Sequence, residues 1–131
     1  MDAKSPYKTD WKEMTFTRIL EDMNEAGQFN ASFLVDGQGL PVAAVTSAYD
    51  TDTASAMVSM VRNAIVQLQN GINLAEADEV TTRGNDKMRL ISRYFKLGDE
   101  ALILVVIAPP NRSYRKLTSQ AIKAFQSTWS S

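Results

Sequence analysis

Apolar residues near the start of the chain recur at two different spacings. Phe16, Ile19, Leu20 and Met23 stand three and four apart, which predicts an amphipathic helix with one buried face. Thr9 and Asp10 are suitable N-caps for it, and Gly27 is the stop. From residue 31 the period falls to two. Ala31, Phe33 and Val35 share one face while Ser32 and Leu34 share the other, so a strand over 31–36 is covered on both sides. Gly37, Gln38 and Gly39 supply the conformational freedom of a tight turn, and a second strand follows over 40–47. Pro41 cannot donate a ladder hydrogen bond, which assigns this second strand to a sheet edge.

Asp50, Thr51 and Asp52 precede a run over 54–70 that lacks proline and glycine and ends before Gly71. This predicts a long helix over 51–70. Met57, Val58, Val61, Ile65 and Leu68 form its apolar stripe. Met60 and Ala64 widen that stripe beyond what one sheet face requires, so the helix has apolar surface left for a second partner.

Three extended segments follow, over 77–83, 87–95 and 101–107, divided by Gly84, Asn85 and Asp86 and by Leu97, Gly98 and Asp99. The first has Val80 as its only large aliphatic residue and reads as an edge strand. The last is apolar at every position and must be central. Pro109 and Pro110 end it, and Ser113 caps a final helix with Leu117, Ala121, Ala124 and Phe125 on one face. The serine-rich end from Ser127 is expected to fray. The order α-β-β-α-β-β-β-α predicts one α+β domain over 9–127, a mainly antiparallel sheet with helices on both faces, a flexible extension over 1–8 and a flexible tail over 128–131.

Composition narrows the chemistry. Of 131 residues, 44% are hydrophobic, enough for a single core. There is no cysteine and no histidine, which removes thiol nucleophiles, zinc-thiolate sites and the commonest general base. Fourteen basic residues against 15 acidic ones give a net charge of -1, so overall charge favours no polyanion and nucleic acid is not an expected partner. Without a leader-like or membrane-spanning apolar run, a cytoplasmic protein that does not insert into membranes is expected.

The segment Phe33, Leu34, Val35, Asp36, Gly37, Gln38, Gly39, Leu40, Pro41, Val42, Ala43, Ala44 resembles the signature hairpin of the Roadblock / dynein light chain family. The likeness extends, in the same order, through the Ala-rich helix, the polar strand and the apolar last strand. It implies a five-stranded sheet of order 2-1-5-4-3, with the 51–70 helix on one face and the first and last helices on the other. It further implies a homodimer joined through that helix and the third strand, a small Ras-like GTPase as partner, and no catalysis by the chain itself. The interface would comprise Met57, Met60, Val61, Ala64 and Leu68 with Val80 and Thr82 of the edge strand. Such a protein is a scaffold or a GTPase-activating partner. The alternatives are a dynein-type light chain, or a small-molecule sensor of profilin or PAS type with a pocket between helix and sheet.

No catalytic, cofactor-binding or metal-binding residue is assigned. Asp36 with Gly37 reads as a hairpin turn, and Asp50 with Asp52 as helix caps. Met14, Met23, Met57, Met60 and Met88 read as packing residues. Arg83, Lys87, Arg89, Arg93 and Lys96 form a basic cluster in which Lys87, Arg89 and Arg93 share strand parity, a solvated stripe or a contact for an acidic protein. Arg89, Arg93 and, on the long helix, Arg62 are the partner-binding candidates; Arg62 is an arginine-finger candidate by position only, since no arginine here stands in a flexible glycine-rich loop, and positioning of the partner's own switch loops is an equal alternative. Arg112, Arg115 and Lys116 oppose the dipole of the last helix.

Overall fold

A computed structural model describes residues 10–36, 41–46, 79–83 and 87–130. Helix α1 (Asp10–Gly27) leads into the strands β1 (Ala31–Asp36) and β2 (Pro41–Thr46). The strands β3 (Glu79–Arg83), β4 (Arg89–Leu97) and β5 (Glu100–Ala108) follow, and helix α2 (Arg115–Ser130) closes the chain. The expected turn at Gly37 and Gly39 and the helix over 51–70 lie outside the described residues.

The five strands form one sheet of order β2-β1-β5-β4-β3, every neighbouring pair antiparallel. This is the α+β arrangement and strand order that the hairpin resemblance implies. The apolar β5 lies in the middle, and Leu102 to Ala108 are buried without interruption. Pro41 stands on an edge strand as its missing N–H requires, beside a bulge where Val35 pairs with Pro41 while Leu34 pairs with Ala43. The extra residue lets Val42 and Ala43 both join the core.

Both helices cover one sheet face. Phe16, Leu20 and Met23 of α1 and Ala121 and Phe125 of α2 pack onto Leu34, Ile91, Leu102, Leu104 and Val106. Phe125 is the centre: its ring meets Phe16 edge-on at 5.4 Å and stacks on Phe95 at 5.9 Å, geometries that add to the area term. The opposite face buries Ala31, Phe33, Val35, Ile103, Val105 and Ile107, with no residue from α1 or α2.

One helix end is where the sequence puts it and one is not. α1 ends at Gly27, and the left-handed residue that follows is Gln28 (φ 54). Phe29 donates to the Asn24 carbonyl and Gln28 to that of Glu25, a Schellman closure. Glycine is required at 27 for space, because a Cβ there would lie 2.3 Å from the Phe29 ring. At the other end α2 runs on to Ser130 where fraying was expected from Ser127. Trp129 holds it: the indole packs against the core, Lys12 Nζ sits 4.5 Å over the ring, and Lys12 donates to the Trp129 carbonyl.

Candidate protein interface at the sheet edge

β3 ends the sheet and pairs with β4 alone among the described residues. Its outer backbone groups have no strand beside them there, and Thr81, Thr82 and Arg83 are exposed while Val80 is half-buried. A polar five-residue edge resists indiscriminate pairing, yet keeps the hydrogen-bonding row that a specific neighbouring strand uses.

The edge is anchored at its first residue. Glu79 stands opposite Arg93 in the β3–β4 register. One carboxylate oxygen accepts from Tyr114 Oη at 2.6 Å and from Thr81 Oγ1 at 3.1 Å. The other accepts from Arg115 Nη1 at 3.1 Å and lies 3.8 Å from Arg93 Nε. Arg93 is only 9% exposed, and its Nη1 donates to Thr118 Oγ1 at 2.9 Å, Ser119 Oγ at 2.7 Å and the Arg115 carbonyl at 3.3 Å. A buried guanidinium needs such partners, since an unpaired charge in the interior is costly; Nε makes no hydrogen bond and has only the Glu79 ion pair. Glu79 and Arg93 together tie the free edge of the sheet to the first turn of α2.

Arg89 extends this anchoring. It donates to the carbonyls of Pro109 and Arg112 and stacks over Tyr114, 5.3 Å from the ring centre. Arg112 reaches across to the Gln28 side chain. Around them lies an open depression of about 400 Å³ lined by Arg89, Asn111, Arg112, Ser113, Tyr114 and Arg115.

The basic stripe is thereby resolved. Arg89 and Arg93 share the parity of Ile91, Phe95 and Leu97, whose side chains belong to the helix-covered core, so they point at α2 and serve the chain's own structure. Lys87 is exposed and precedes β4 with a left-handed backbone (φ 67). Of the expected interface residues, Val80 and Thr82 lie on the free edge, whereas Met57, Met60, Val61, Ala64, Leu68 and Arg62 fall outside the described residues, as do Asp50 and Asp52. Met23 is buried and Met88 packs on the second sheet face, but Met14 is 72% exposed and is not a core residue.

Glu79, Tyr114, Thr118 and Ser119 are the contributors that sequence reasoning missed. The available signal was parity: an arginine alternating with Ile91 and Phe95 points inward and demands an acidic or hydroxyl partner. Among the described residues no three His, Cys, Asp or Glu side chains converge to hold a metal, and no helix is long and apolar enough to cross a membrane.

No family model and no curated protein matches the chain. Solved structures do. The gliding protein MglB from Thermus thermophilus superposes with a TM-score of 0.73 at 15% identity, over 99% of this chain and 95% of that one. Myxococcus xanthus MglB gives 0.69 at 16% identity, over 98% and 90%. A Roadblock/LC7 domain from Streptomyces avermitilis gives 0.63 at 15%, over 85% and 92%. The strand order, the helix pair on one face and these superpositions agree: the chain has the Roadblock/LC7 fold.

Proposed function

We propose that this chain is a homodimeric, non-catalytic adaptor or regulator of a Ras-like small GTPase, acting as scaffold or as GTPase-activating partner. The observation that carries the reading is the likeness to two MglB structures along 98% and 99% of the chain, joined to the hairpin resemblance and to a free, anchored β3 edge. In this proposal Val80 and Thr82 pair with their counterparts in a second copy. Met57, Met60, Val61, Ala64 and Leu68 close the same interface, and Arg62 faces the GTPase.

The packing favours an adaptor over a small-molecule sensor. Between the described helices and the sheet, Phe16, Phe95 and Phe125 fill the space with ring-to-ring contacts, as in a close-packed core. Binding to Ras-like GTPases in both nucleotide states tests the proposal, and failure to bind any of them in either state contradicts it.

A further inference from the structure

Basic side chains gather at one end of the sheet. Arg83, the last residue of β3, stands directly opposite Arg89, the first of β4. The pair shares the helix-bearing face, and like charges placed opposite each other on one face are destabilising. Arg89 leads into the depression of about 400 Å³ at the start of α2, which Arg112 and Arg115 also line. Lys116 follows on the first turn of α2, and Arg83, Arg112, Arg115 and Lys116 are all exposed.

Little of this charge is answered within the chain. Among the described residues both ion pairs run to Glu79, which serves Arg93 and Arg115. Arg89 donates to two carbonyls, its buried Nε makes no hydrogen bond, and Arg112 donates to the neutral Gln28 side chain. The acids in the last two turns of α1, Glu21, Asp22 and Glu25, form no ion pair with this set. Arg83, Arg89, Arg112 and Lys116 therefore carry charge without a paired carboxylate. The whole chain has 14 basic and 15 acidic residues, so the excess is local and not a consequence of composition. Arg115 and Lys116 stand where the macrodipole already makes α2 positive, and the first turn holds no acid to offset them.

We infer that this end of the sheet is a docking surface for an acidic segment of a partner protein, an extended peptide rich in Asp or Glu. Charge complementarity selects the occupant: guanidinium forks bind carboxylates bidentately. Carboxylates seated there relieve both the Arg83–Arg89 repulsion and the unfavourable start of α2. The spread of the charges selects a peptide over a single small anion, since they run from the end of β3 across β4 to the first turn of α2. Six extended residues reach about 20 Å and place several carboxylates along that line. A long polyanion is disfavoured, because a chain of net charge -1 with so local a basic patch repels it elsewhere. The surface is distinct from the backbone edge of β3, and its occupant need not be a GTPase.

Titration of the full chain with a hexaglutamate peptide, followed by amide NMR shifts, tests this. At low salt the wild type is expected to bind saturably, with shifts concentrated at Arg83, Arg89 and 112–116, and to bind less tightly as salt rises. Arg112→Glu with Lys116→Glu is expected to weaken binding by at least about tenfold. Both residues are exposed and neither pairs with Glu79, so folding is preserved. Lys96→Glu with Lys123→Glu makes the same change in net charge at exposed positions farther along β4 and α2, and is expected to lose much less. Tripolyphosphate and a hexathymidylate oligonucleotide, titrated in the same way, are expected to bind more weakly than the peptide. No saturable binding by the wild type, shifts centred elsewhere, equal losses in the two double variants, or tighter binding of either phosphate compound overturns the assignment.

Discussion

Tyr114 donates to Glu79 at 2.6 Å across 35 residues of sequence, joining the last residue before α2 to the first residue of β3. Because Glu79 also faces Arg93 and Arg115, the sheet edge and the terminal helix share one carboxylate. Glu79→Gln is expected to destabilise the fold by about 1–3 kcal/mol by leaving the buried Arg93 without a counter-charge. Urea denaturation checks it. Arg93→Met in the Glu79→Gln background should cost less than the sum of the two single changes, a coupling that a double-mutant cycle reads directly.

Gly98 turns β4 into β5 at φ 61, and a Cβ there would lie 3.0 Å from Trp129 Nε1. Gly98→Ala should therefore lower stability by about 1–2 kcal/mol through backbone strain and displacement of the indole. Thermal unfolding measures the loss, and Trp fluorescence should report the moved ring.

Tyr94 lies on the second sheet face with its hydroxyl buried and without a hydrogen-bond partner, and burial pushes its pKa from 10.0 up to about 12. The unfolded chain thus releases this proton first. The contribution is constant below pH about 10, and stability declines as pH rises from about 10 to about 12. Tyr94→Phe should flatten that part of the stability-against-pH curve and cost little at neutral pH, since it removes an unpartnered polar atom.

For the proposed dimer, Met60→Asp or Ala64→Asp should reduce self-association by more than about tenfold, by burying an unpaired carboxylate in the interface. Light scattering that still shows an unchanged dimer for both would move the interface elsewhere.

Much of this fold is legible in the chain. The wholly apolar 101–107 run could only be central, and β5 is. Pro41 marked an edge, and β2 is one. What escaped were decisions made by tertiary partners. Arg89 and Arg93 carry charge, and charge on a strand suggests solvent. Only Glu79, Thr118, Ser119 and three backbone carbonyls, brought together from outside β4, make their inward orientation tolerable. Trp129 was likewise hidden in a serine-rich tail, and its role depends on Lys12 at the opposite end of the sequence. Met14 shows the reverse error, since apolar character and helical spacing do not say which side of α1 faces the sheet.

The central claim is recognition of a Ras-like GTPase by a chain that performs no chemistry itself. Calorimetric titration of the full chain into such GTPases, each loaded in turn with GDP and with a non-hydrolysable GTP analogue, tests it most directly. The expected result is saturable binding to at least one of them, tighter in one nucleotide state, with no GTP hydrolysis by the chain alone. Absence of binding in both states across the set, or hydrolysis by the isolated chain, would contradict the account.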